Sequence, residues 1–198
     1  MKGLFFLLAG VLTTAVAFGA DGPCIVPQRG YFRVHVGTAG LFGAFAHNHL
    51  IEAQRITGCA SSVDPNDITH SSIKLTFTTA DLRVMDPKES EKDRAEVQKT
   101  METEVLRISE FPQVVFESTS IENAGGNQLR LRGNLTILGN TRPVVIPVAL
   151  SHMADGTLQA QGRYNFKLST FGIKPIQLGG GTIKVKDEVE TEFEVYLK

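Results

Sequence analysis

Residues 133 to 148, GNLTILGNTRPVVIPV, alternate apolar and polar positions on either side of a Gly139-Asn140 pair. Alternation at period two marks a strand with one buried face. A two-residue turn at Gly139-Asn140 folds the segment into a hairpin. In that register Leu135 faces Val144, Gly133 faces Ile146 and Leu131 faces Val148. Arg132 and Asn134 fall on the other side, so one face is apolar and the other meets water.

The same pattern recurs at residues 31–37, about 47–56, 73–78, 113–121, 128–138, 142–153, 157–168 and 182–197. In the last of these, Ile183, Val185, Val189, Phe193, Val195 and Leu197 share one side. Lys184, Lys186, Glu188, Glu190, Glu192 and Glu194 share the other. The Asp155-Gly156 pair suggests a two-residue turn, but that register would set Leu150 against Gln161. A three-residue loop, Ala154 to Gly156, sets Leu150 against Ala160 and keeps the faces separate, with Gly156 at positive φ. Pro143 and Pro147 oppose this picture, because each removes a ladder donor.

Only residues 86–109 depart from strand patterning for long. Asp86, Pro87 and Glu89 read as a helix start. Val97, Met101 and Val105 then repeat at helical spacing among charged residues. This predicts one surface helix, about 87–108, laid on something apolar. Eight long alternating strands with one helix make an all-β chain. Closing the sheet into an eight-stranded antiparallel barrel removes its edges. A two-sheet sandwich is the alternative arrangement.

The chain has 198 residues, enough for one domain. Residues 1–20 read as a signal peptide: Lys2, an apolar run from Leu4 to Phe18, and small residues that allow cleavage after Ala17 or Gly19. Residues 21–198 are then the exported domain, and no second apolar run reaches membrane length. Losing Lys2 takes the formal charge from −1 to −2, and no basic block appears, which argues against nucleic acid. Cys24 and Cys59 can form a disulfide in an oxidising compartment. Neither lies in a C-x-x-C, so redox catalysis has no support.

The sharpest local chemistry is His47 and His49 in AFAHNHLI. On a strand they point to one face and could share a metal ion, with His35, His70 or a carboxylate as third ligand. Histidines that pack or hydrogen-bond near a strand end are the commoner outcome. There is no G-x-S-x-G, and the serines and acids single out no catalytic dyad. Gly179 to Gly181 read as a turn and not as a phosphate loop. Twelve phenylalanines are present, three of them (Phe5, Phe6 and Phe18) in the leader. Leu75, Phe77, Phe116, Leu131, Leu135, Ile146, Phe166 and Phe193 are assigned to the inward face. They line either a filled core or a hollow for an apolar ligand.

The runs FPQVVFESTSI (111–121), GNLTILGNTRPVVIPV (133–148) and STFGI (169–173), with Asp93-Arg94 before them, resemble the YceI-like family over about residues 30–198. The resemblance implies a lipocalin-like eight-stranded barrel whose lumen holds an isoprenoid or other long-chain lipid, and a periplasmic or secreted bacterial protein. It brings no catalytic residues and no cofactor. The stretch GYFRVHVGTAGLFGAFAHNHLI departs from the family's usual opening, and this affects ligand identity more than fold. The leading reading is therefore a non-enzymatic carrier of an apolar chain. A metal-binding protein or metal-dependent enzyme centred on His47 and His49 is its rival, and a filled barrel acting as an interaction protein is a third. A homodimer stays open.

Overall fold

Eight alternating segments close into a ring. The computed structural model describes residues 22–39, 48–61, 67–174, 177–178 and 183–198. Residues 1–20, His47 and Gly179 to Gly181 lie outside the described residues. Among the described residues eleven strands are formed: β1 (Ile25–Ala39), β2 (His49–Ala53), β3 (Ile56–Ser61), β4 (Ser72–Thr78), β5 (Leu82–Val84), β6 (Gln113–Gly125), β7 (Gln128–Ile137), β8 (Asn140–His152), β9 (Leu158–Lys167), β10 (Gln177–Leu178) and β11 (Ile183–Leu197). Among the described residues one α-helix, α1 (Glu91–Thr100), lies between β5 and β6.

The count of eleven and the expected eight agree once chain continuity is followed. β2 and β3 are one bent strand, broken at Gln54-Arg55. β4 and β5 are another, broken by the 3-10 turn Thr79–Asp81. β10 is a two-residue addition to β11. Every pairing is antiparallel, in the order β3-β4-β6-β7-β8-β9-β11-β1-β2-β5. Since β2 runs into β3 and β4 into β5, that order returns to its start. A bend lets one long strand serve two neighbours: β2 pairs with β1 and β5, whereas β3 pairs with β4.

The seam lies where β1 begins. Cys24 and Lys198 exchange two backbone hydrogen bonds of 2.9 Å, and Ala60 N–H donates to Pro23 O at 2.9 Å. A disulfide joins Cys24 to Cys59 at the same place. The residues just before β1 therefore bridge the end of β11 and β3. Among the described residues no helix is long and apolar enough to cross a membrane.

The two hairpins show what alternation decides. Between β7 and β8 the observed pairs are Leu135 with Arg142, Gly133 with Val144 and Leu131 with Ile146. The turn is Leu138-Gly139, at φ 47° and 70°, and not Gly139-Asn140. The expected register was off by two residues. A shift of two preserves which face is inward, so every buried assignment on β7 survives. Asn140 is needed as a ladder residue: its amide donates to Leu138 O (3.1 Å) and Phe171 O (3.0 Å), pinning the turn to the segment after β9. Between β8 and β9 the three-residue loop is as expected, with Leu150 opposite Ala160 and Gly156 at φ 79°.

Pro143 and Pro147 both lie outside the β8–β9 ladder. The β8–β9 ladder runs only from Ala149 to His152, so neither proline breaks a pair with β9. Both remain opposite β7 residues. Gly133 has a steric role. A Cβ there would come within 2.6 Å of the Phe116 ring, so glycine lets that ring lie against the β7 backbone.

The loop from β8 to β9 carries a testable charge. Asp155 accepts from Thr157 Oγ1 (2.6 Å) and Thr157 N–H (3.0 Å), and from Arg29 Nη1 on β1 (2.7 Å). The Thr157 hydroxyl, then the Arg29 guanidinium, hold its carboxyl well below the usual range. A lowered folded-state value gives stability that is present above the ordinary Asp value, about 3.9, and lost as the pH falls toward the folded one. Asp155→Asn should therefore lower Tm at neutral pH, by a gap that begins to narrow as the pH falls through about 4 and goes on narrowing toward the folded-state value. A gap constant over that range would remove this carboxylate from the acid response.

The helix is shorter than its periodicity predicts. Ser90 and not Asp86 caps it, accepting from Asp93 N–H at 3.1 Å. α1 ends at Thr100 and continues as a π-helical turn, Met101–Val105. Asp86 is buried and turned toward β2, where it does different work.

Candidate functional site

The inward faces of the ring enclose a cavity of about 560 Å³. All eight residues assigned inward from sequence line it. Leu75 and Phe77 come from β4, Phe116 from β6, Leu131 and Leu135 from β7, Ile146 from β8, Phe166 from β9 and Phe193 from β11. Phe116 is 3 % exposed. Leu75, Ile146, Phe166 and Phe193 stay half-buried although they face inward, because they face a hollow and not another side chain. The rings are organised in part: Phe32 lies 4.5 Å from Phe77, and Phe166 meets Phe171 edge-on at 5.4 Å. Burial raises the Tyr164 phenol above its ordinary value, as a low-dielectric interior should.

Sequence reading missed part of the lining. Phe32, Val34 and Val36 of β1 and Ile51 of β2 also face the cavity. Their alternation was legible, but the strand boundaries there were blurred. One end of the hollow is covered by the helical segment. Val97, Met101 and Leu106 pack against Ala53, Phe77, Leu82 and Val84, and Met101 is only 6 % exposed. The helix spacing had picked out Val97 and Met101. Gln98 fastens the helix to β5, donating to Leu82 O (2.8 Å) and accepting from Val84 N–H (2.9 Å).

The cavity has a polar corner, and Lys174 is a further charged residue of its lining. His49, Glu89, Asp93 and Glu96 reach its lining near α1. His49 Nδ1–H donates to Asp86 Oδ2 at 2.6 Å, and Leu50 N–H donates to Asp86 Oδ1 at 2.6 Å. Asp86 thus latches the turn before α1 onto β2. His35 lies apart on the outer face, 3.2 Å from Glu192, and His70 pairs with Asp67 at 3.0 Å. Of the third ligands considered for His49, only carboxylates are close. The Glu190 and Glu192 carboxylates on the outer face meet Arg33 and Arg163, consistent with a solvated surface.

A lipocalin-like antiparallel ring around an apolar hollow matches one family directly: the YceI-like domain aligns with residues 33–197. The chain belongs to the YceI-like family. It is 28 % identical to protein YceI of Salmonella arizonae over 184 residues, 86 % of this chain and 85 % of that one. Its fold is similar to Burkholderia cenocepacia BcnA, with TM-score 0.70 and 18 % identity over 87 % of this chain and 98 % of that one. It is also similar to a polyisoprenoid-binding domain from Saccharophagus degradans implicated in plant cell wall breakdown. There the TM-score is 0.67 at 6 % identity, covering 89 % and 98 %.

Proposed function

We propose that this YceI-like protein is an exported carrier that sequesters a long apolar chain, an isoprenoid or another lipid, inside the barrel. The observation that carries the reading is the cavity itself: about 560 Å³, within the range of ligand sites, and lined almost wholly by aliphatic and aromatic side chains. Each methylene moved from water into such a hollow gains about 0.8 kcal/mol, so a long chain binds with few polar contacts. A filled barrel acting only as an interaction protein would leave no such space. The polyisoprenoid-binding relative supports the ligand class. The leader-like residues 1–20 and the Cys24–Cys59 bridge support export to an oxidising compartment, periplasmic or extracellular.

Native mass spectrometry of protein purified without detergent tests the reading. A bound mass released by organic solvent and identified as a chain lipid is expected. Protein that emerges free of lipid, and takes none up from an isoprenoid suspension, would sink it.

The helical cover is the gate in this reading. Met101→Asp places a charge against Phe77, Leu82 and Val84 and should loosen the cover. Uptake of a fluorescent fatty acid should then change at least severalfold in rate. An unchanged rate would leave the helix as a fixed lid.

A further inference from the structure

His49, Asp86 and Glu89 each offer a ligand atom, and the three atoms lie within 4.8 Å of one another. We propose that these side chains form a zinc-type divalent cation site at the polar corner of the cavity. The site is distinct from a His47–His49 pair and does not depend on the lipid reading.

Burial is the first argument. The Asp86 and Glu89 side chains are 6 % and 10 % exposed. Two carboxylates placed so close and so deep repel each other unless something positive joins them. Among the described residues neither has a Lys or Arg ion-pair partner. Arg94 reaches the same turn, but its Nη1 donates to the backbone carbonyls of Asp86 (3.1 Å) and Glu89 (2.9 Å).

The second argument is independent. Glu89 Oε2 is buried without a hydrogen-bond partner, and Glu89 lines the cavity. A buried carboxylate oxygen left unmet is costly, and native proteins rarely keep one without a reason. An ion beside it supplies the missing contact.

The distances fit a small ion. Tetrahedral zinc with ligands near 2.1 Å holds its donor atoms about 3.4 Å apart. His49 Nδ1 is now 2.6 Å from Asp86 Oδ2 and 3.9 Å from Glu89 Oε1, values that bracket the requirement. The short contact contains a proton. Binding at Nδ1 would move that proton to Nε2, by exchange with solvent, and leave a neutral imidazole and two carboxylates on the ion. One nitrogen and two carboxylate donors suit zinc better than magnesium or calcium, which take more oxygen ligands. Three protein ligands leave a fourth position for water or for a polar group of a guest, since His49 and Glu89 both line the hollow.

The test uses the mature chain, stripped of lipid and metal and dialysed against zinc chloride at neutral pH. The expected result is one zinc per chain and a zinc-dependent rise in Tm. Glu89→Gln should weaken binding at least about tenfold and abolish the rise. The variant keeps the shape of the side chain and removes one of two close buried carboxylates, so it should fold. Glu104→Gln, exposed on the same helical segment, should bind as the parent does. Cobalt in place of zinc should give the visible absorption of a tetrahedral nitrogen–oxygen site. Absence of stoichiometric zinc overturns the proposal. So does binding that survives Glu89→Gln but is lost in His47→Gln, which would put the ion on the H-x-H pair.

Discussion

Ala160→Trp is expected to abolish high-affinity lipid uptake while leaving the fold intact. Ala160 lies on the inner face of β9, opposite Val195 and Leu150, and lines the cavity. An indole there would extend from the barrel wall into the hollow that Ala160 lines. It should exclude the stretch of guest that four or five methylenes occupy. At about 0.8 kcal/mol each, that is roughly 3–4 kcal/mol, or about 10²–10³ in Kd. Stability should hold or rise, because a filled void gains dispersion contacts. The measurement is a titration with a fluorescent isoprenoid or fatty acid analogue, paired with thermal unfolding. Unchanged affinity with unchanged Tm would mean that the guest binds somewhere other than the lumen.

The second large effect lies at the seam. The Cys24→Ser/Cys59→Ser variant is expected to lose about 3–4 kcal/mol of stability, from the 35-residue separation of the bridged positions. For a domain of this size that lowers Tm by roughly 6–16 °C. Cross-linking acts mainly by restricting the unfolded chain. Here it also fixes the residues through which β1 meets both β3 and β11, so its loss should fray the closing edge first. Hydrogen exchange should rise at Ile25, Ala60 and Leu197 before it rises on β7. A wild-type Tm indifferent to reductant would remove the bridge from the stability of the barrel.

The inner lining was legible because alternation in a strand is a local property. Leu131 and Leu135 must share a face whatever β7 pairs with. Even the β7–β8 register error, two residues long, moved none of them outward. The β8–β9 loop was legible for a related reason: only one loop length kept apolar residues together. The polar corner was not legible. Asp86 reads locally as a helix cap, and Ser90 reads no worse. Asp86 is buried because β5 pairs with β2 and carries the following turn onto His49. That contact joins residues 37 positions apart.

The chain's own pattern determined which side chains are apolar and inward, that there are eight strands, and that one helical segment carries an apolar stripe. These follow from backbone periodicity, which each residue feels from its near neighbours. Tertiary structure alone decided that the ring closes at Cys24, that two strands bend to serve two partners each, and that the interior stays hollow. It also decided that His49 meets two carboxylates. Closure, volume and side-chain encounter depend on how distant segments fill a shared space, and periodicity along the chain does not encode that.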